Sequence, residues 1–186
     1  MMRMRAICSF LALVLLAAAG PAFADQSDPR LDRLFQQLSK ATTPPEAQGI
    51  EREIQTLWLR SGSDTVDLLM ARAQQSLEAQ DAVTAKKLLD AVTEMKPDYA
   101  EVWYQRAALL IAMDSPQEAA PNLQKAIELE PRHFEALAAA GKIAEDSGDK
   151  RTALATYRRA VALNPQLEAI KRKISALAAE VEGKAI

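Results

Sequence analysis

Apolar residues recur along most of the chain at intervals of three and four, in runs broken by prolines, glycines and Asp/Ser pairs, a pattern that predicts helices joined by short turns. Leu31, Leu34, Phe35 and Leu38 make the first stripe, with Asp28 placed to cap the helix, Pro29 at its first position and an end near Ala41. Thr43-Pro44-Pro45-Glu46 then stops one helix and starts another: both prolines fit a first turn, and Thr43 and Glu46 have the spacing of a capping box. The second stripe is Ala47, Ile50, Ile54, Leu57 and Trp58, ending at Ser61-Gly62. At the far end Leu167, Ile170, Ile174, Leu177 and Val181 form a last stripe, backed by Lys171, Arg172, Lys173 and Glu180.

Between these outer helices the pattern repeats. Pro97, Pro131 and Pro165 stand 34 residues apart. Aligned on them, segments starting at Val66, Ala100 and Phe134 keep step: Leu69, Trp103 and Leu137 at the fourth position, Ala73, Ala107 and Gly141 at the eighth. Ala85, Ala119 and Ala153 follow at the twentieth, Leu89, Leu123 and Tyr157 at the twenty-fourth, and Val92, Ala126 and Ala160 at the twenty-seventh. The chain resembles the tetratricopeptide repeat family, a helix-turn-helix of that period. The resemblance implies an all-α, right-handed α-solenoid of three helix-turn-helix repeats, 66–99, 100–133 and 134–167. Small residues at positions eight and twenty let the two helices of a repeat cross closely. Residues 25–63 fit the register poorly, with Glu51 and Ser63 where apolar or small residues belong. They are expected to be a degenerate two-helix N-terminal cap covering the first repeat. Residues 168–182 are expected to be the C-terminal capping, solvating helix, and 183–186 a loose tail.

Composition narrows the class. With 49% hydrophobic, 26% charged and 5% aromatic residues the chain has the makeup of one helical globular domain. A formal charge of −2 lacks the basic excess that nucleic-acid binding draws on. Residues 1–24 have the three parts of a secretory signal: Arg3 and Arg5, the apolar run from Ile7 to Ala19, and the small-x-small site Ala22-Phe23-Ala24. That run is too short to span a bilayer, which takes about 20 residues. The expected address is the periplasm, reached by a cleavable signal. The only cysteine, Cys8, leaves with the signal, so no disulfide or thiol chemistry is expected in the mature chain.

No enzymatic constellation can be assembled. His133 is the single histidine, without a companion for a metal set, and reads as a turn residue beside Pro131. There is no Gly-rich phosphate loop and no G-x-S-x-G elbow, so neither a cofactor nor a small-molecule substrate is expected. The resemblance implies instead a concave wall built by the first helix of each repeat. In this sequence that wall is Asp67, Met70, Gln74 and Glu78; then Glu101, Tyr104, Ala108 and Ile111; then Glu135, Ala138, Lys142 and Glu145. Relatives that grip an acidic chaperone C-terminus use lysine, asparagine and arginine here. This chain has Met70, Gln74, Gln105, Glu135 and Ala139, so that clamp is absent.

The expected partner is another protein, a helix or extended segment of apolar or weakly basic character, with Tyr104 as central anchor. Asp67, Glu101 and Glu135 admit two readings, recognition of that partner or complement to the helix dipole in a first turn. Lys150, Arg151, Arg158, Arg159, Lys171, Arg172 and Lys173, with only Glu168 against them between Lys150 and Lys173, form a basic face. It is read either as a solvated helix surface or as a contact with an anionic envelope surface. The alternative to a scaffold is a self-assembling protein that dimerises through its capping helices.

Overall fold

The computed structural model describes residues 28–183; the expected signal at 1–24, with 25–27 and 184–186, lies outside them. Among the described residues the regular structure is all helical: α1 (Pro29–Leu38), α2 (Pro44–Trp58), α3 (Asp64–Glu78), α4 (Ala82–Met95), α5 (Ala100–Ala112), α6 (Pro116–Leu129), α7 (Phe134–Asp146), α8 (Lys150–Leu163) and α9 (Glu168–Val181). The all-α class expected from the periodicity is what the chain adopts.

From α3 onward the helices pack in sequence: α3 on α4, α5 on α6 and α7 on α8, with α4–α5, α6–α7 and α8–α9 joining one pair to the next. The apolar interior is accordingly serial. Val66, Ala85, Leu89 and Val102 belong to one cluster, Ala107, Leu110, Leu123 and Ala136 to the next, and Leu154, Tyr157 and Leu177 to the last. The small residues of each pair are buried: Ala73, Ala107 and Gly141 on the first helices and Ala85, Ala119 and Ala153 on the second. Gly141 is required by its neighbour, because a Cβ there would stand 2.6 Å from the Tyr157 ring.

The turns inside the pairs share one backbone solution. Gln80, Asp114 and Gly148 all take positive φ, at 60°, 59° and 84°, so the register of the turn is kept even where glycine is missing. The second helices stop at Met95, Leu129 and Leu163, two residues before the prolines, as the restricted backbone ahead of a proline demands. Asp81 and Asp149 cap α4 and α8 by accepting from the N–H groups of Thr84 and Thr152. Asp28 caps α1 as expected, accepting from Arg30 N at 2.8 Å. The capping box does not form in the expected frame: Thr43 caps nothing with its side chain, and Glu46 accepts from Thr42 N at 2.9 Å. Only the carboxylate half of a box is made, one residue back, and Pro45 removes one of the two N–H groups that a Thr43 hydroxyl could have capped.

The N-terminal hairpin is where packing departs from expectation. Leu31, Leu34, Phe35, Leu38, Ile54, Leu57 and Trp58 share a core with Phe134 at the start of α7, flanked by Leu163 and Leu167. The hairpin thus lies along all three repeats instead of covering only the first. Its polar contacts give its direction. Gln166 Nε2 donates to the Ala41 carbonyl (2.8 Å), Asn164 to Glu51 (2.5 Å), and Gln55 to Glu135 (2.8 Å). Tyr99 Oη donates to the Trp58 carbonyl (2.8 Å), and Ser61 donates to Asp67. As α2 advances, its partners step backward from the end of the third repeat to the start of the first.

Candidate functional site

The residues that receive the hairpin occupy one register position. Tyr99, His133 and Leu167 are successive 34th residues, each just before a new helix pair begins. Tyr99 is fully buried under the Trp58 carbonyl, and burial holds its phenol far above the ordinary range. His133, expected as a bland turn residue, is 1% exposed. Its ring lies 4.4 Å from the Trp58 indole and 4.5 Å from Tyr104. Its Nδ1 caps α7 by accepting from Ala136 N, which leaves Nε2 to donate to Glu101 Oε2 at 3.2 Å. Arg132 beside it pairs with Asp32 of α1 and with Glu130, and lies 4.9 Å over the Phe35 ring.

The three acidic residues at the second repeat position have the same employment. Asp67 accepts from Ser61 N at 2.8 Å and from its Oγ at 2.5 Å. Glu101, 6% exposed, accepts from Gln105 at 2.6 Å besides holding His133. Glu135 accepts from Gln55, and burial pushes its carboxyl above the ordinary range. Internal hydrogen bonding therefore supplies a third reading beside partner recognition and dipole complement. All three carboxylates fasten α2, the turn after it, or the histidine beneath it.

What α2 leaves open is a slot between its C-terminal end and the first helices of the array. One part, about 280 Å³, has Leu59, Met70, Leu77 and Leu89 as apolar lining and Asp67, Gln74 and Gln105 as polar lining. The other, about 250 Å³, is bounded by Gln55, Leu59, Glu101, Tyr104, Gln105, Ala108 and Glu135. The two share Leu59 and Gln105 and run together. Leu59, just past the end of α2, is 49% exposed in the middle of this slot. Tyr104 sits at its edge, half-buried against His133, and burial raises its phenol. In the first repeat Leu77 takes the register of Ile111 and Glu145, one residue before the expected Glu78, which is exposed and accepts from Gln74. Ile111 and Lys142 line a third recess of about 270 Å³ between α5 and α7. Ala138 lines none of these recesses, and Glu145 is turned to the C-terminal side, where it accepts from Tyr157 Oη (2.8 Å) and Lys173 Nζ (2.6 Å).

The C-terminal basic face is largely paired within the chain. Lys150 meets Glu180, Arg158 meets Glu182 at 2.6 Å, Lys171 meets Glu168 at 2.8 Å and Lys173 meets Glu145 at 2.6 Å. Arg151, Arg159 and Arg172 remain exposed. Among the described residues no group of three or more His, Cys, Asp or Glu side chains could hold a metal ion. No described helix is long and apolar enough to cross a membrane.

Stacked helix pairs with small residues at their crossings define a helical-repeat solenoid. The tetratricopeptide repeat model matches residues 100–133 and 134–167. A tetratricopeptide repeat-containing protein of Rhizobium etli is 34% identical over 154 residues, covering 83% of this chain and 76% of that protein. The chain belongs to the tetratricopeptide repeat family. Its fold is similar to that of the repeat domain of Arabidopsis OM64, with a TM-score of 0.59 at 18% identity over 63% of this chain and 98% of that one. It is similar also to the Yersinia enterocolitica type III secretion chaperone SycD, solved with a peptide of the translocator YopD. There the TM-score is 0.59 at 14% identity, over 63% of this chain and 95% of that one. Each of these two domains leaves more than a third of the present chain without a counterpart.

Proposed function

We propose that this chain is a non-enzymatic binding module of the periplasm that holds a segment of another protein in the slot beside α2. The observation that carries the reading is the exposed Leu59 standing over a floor of half-buried Leu77 and buried Met70, inside an otherwise satisfied concave wall. Apolar side chains left accessible between polar edges are the usual anchor points of a recognition groove. Gln74 and Gln105 offer amides that both donate and accept, the groups an incoming extended backbone needs. Family membership supports the same role, and the Yersinia chaperone of similar fold was solved with a peptide bound. Tyr104, engaged with His133, edges the slot, and Leu59 takes the central place. Export by the signal at 1–24 is part of the proposal.

A photoreactive benzoylphenylalanine placed at Gln74, in the native cell, tests the binding reading. Light-dependent adducts from position 74, absent from position 124 on the second helix of the middle repeat and lost with Leu59→Lys, are the expected result. No adduct from 74, or equal adducts from both positions, overturns it. Fractionation of the same cells checks the address.

A further inference from the structure

The outer face of the hairpin carries a further cleft, larger than either part of the slot and than the recess between α5 and α7. It encloses about 410 Å³, within the range of small-molecule sites of roughly 300–1,000 Å³. Leu34, Leu57 and the bare backbone of Gly49 line it, and Arg33, Arg52 and Arg60 stand around it. Gly49, Arg52 and Thr56 follow one another along one side of α2, with Arg60 just past its end, and Thr56 stands about 100° round the helix from Gln55 at the slot, so the cleft and the slot open on neighbouring faces of that helix.

Two features set the cleft apart from ordinary charged surface. Among the described residues none of the three guanidinium groups lies within ion-pair distance of a carboxylate, and all three line one cleft, whereas the exposed Arg151, Arg159 and Arg172 of the array line neither the slot nor the recess between α5 and α7. The hairpin does contain acidic residues, and they are engaged elsewhere. Asp32 holds Arg132, Glu51 accepts from Asn164, Glu46 accepts from Thr42, and Asp28 at the cleft's edge caps α1 and holds Arg30, with Arg60 near enough to help lower its carboxyl. Only Glu53 brings a carboxylate into the lining. The other feature is Gly49 itself. Glycine inside a helix is unfavourable, and here packing does not ask for it, since a Cβ would meet nothing within 4 Å. Its missing side chain leaves the cleft open.

We propose that this cleft binds a phosphate ester carrying an apolar stem. The guanidinium fork matches phosphate oxygens in pairs, and Arg33, Arg52 and Arg60 exceed what Glu53 and the Asp28 already paired with Arg30 can balance. The adjoining leucines and bare backbone take the stem, which an inorganic anion lacks. The shared chemistry could be supplied by a phospholipid headgroup or by a soluble phosphate ester, and the test separates these sources.

The full-length mature protein is titrated with dihexanoylphosphatidylglycerol below its micellar concentration, with inorganic phosphate, and with a polyglutamate peptide. It is also sedimented with vesicles of phosphatidylcholine with and without phosphatidylglycerol. Saturable binding of the short-chain lipid, absent for inorganic phosphate, is expected. It should weaken at least tenfold in Arg52→Gln/Arg60→Gln and in Gly49→Leu, which fills the cleft without touching a core. Retention on phosphatidylglycerol vesicles assigns the source to a bilayer. Binding of the soluble lipid without retention assigns it to a free ester. Either outcome upholds the site. No binding of the short-chain lipid or the vesicles, affinity unchanged in both variants with their melting curves intact, or binding of polyglutamate alone overturns it.

Discussion

The indole of Trp58 lies parallel to the imidazole of His133, ring centroids 4.4 Å apart and planes 22° apart, and this stack joins the N-terminal hairpin to the array. Phe35 and Phe134 close on the same indole at 5.9 and 5.8 Å. Truncating Trp58 to alanine removes a fully buried aromatic from the middle of that cluster and should cost about 3–5 kcal/mol in urea unfolding. Amide exchange should show α1 and α2 losing protection before α5 to α8 do, because the array keeps its own serial cores.

His133 has two separable tasks, packing and hydrogen bonding. His133→Phe keeps a flat ring under Trp58 but removes the acceptor that caps α7 and the donor that reaches Glu101. A buried carboxylate that loses such a partner should cost about 1–3 kcal/mol. Glu101→Gln in the His133→Phe background should recover part of that loss, since a neutral amide is cheaper to bury than an anion. Denaturation of the two single variants and the double variant measures the coupling.

Two glutamates set opposite pH dependences. Burial raises the Glu135 carboxyl above its ordinary 4.5, so the folded chain takes up that proton more readily than the unfolded one. The stability this contributes is complete below the ordinary value and is lost as pH rises through the raised value. Glu145 is the reverse case: hydrogen bonds from Lys173 and Tyr157 lower its carboxyl, so its contribution is complete above the ordinary value and is lost as pH falls through the lowered one. Stability curves taken across the carboxylate range should lose the first component in Glu135→Gln and the second in Glu145→Gln.

The array is readable from sequence because its contacts are local. Residues that touch lie within one or two helix pairs of each other, and the prolines and small residues that shape those contacts recur with the period itself. The hairpin is only half readable. Its stripes and the cap of α1 are visible in the letters, but its seat depends on pairs such as Gln55–Glu135 and Gln166–Ala41, far apart along the chain and unrelated to any period. One signal was present: Tyr99, His133 and Leu167 put a large side chain at the same position three times, where a turn exposed to water would not need one. The acidic residues at position two were visible as a set. Their engagement with Ser61, His133 and Gln55 depended on where the hairpin lies.

The crossing of α7 and α8 tolerates no side chain. Gly141→Ala would place a methyl group 2.6 Å from the Tyr157 ring, and the ring is held by its hydroxyl on Glu145. Overpacking at this point should cost about 1–3 kcal/mol. Gly141→Ala combined with Tyr157→Leu should be less unstable than the sum of the two single variants, because the leucine vacates the space the methyl needs. Thermal unfolding of the four proteins shows the non-additivity.

The inner turns of the three pairs supply a last comparison, since they differ in one residue while sharing one conformation. Gln80 and Asp114 hold positive φ at 60° and 59° with a Cβ in place, a strain of order 1–3 kcal/mol that glycine avoids. Glycine also loosens the unfolded chain, which offsets roughly 0.4–1 kcal/mol of the relief. Gln80→Gly and Asp114→Gly should therefore each raise stability by about 1 kcal/mol. At Gly148, where φ is 84° and open space surrounds the missing side chain, alanine should lower stability by a similar amount through backbone strain alone. Melting curves showing no gain at 80 and 114 would mean that those turns relax away from positive φ in solution.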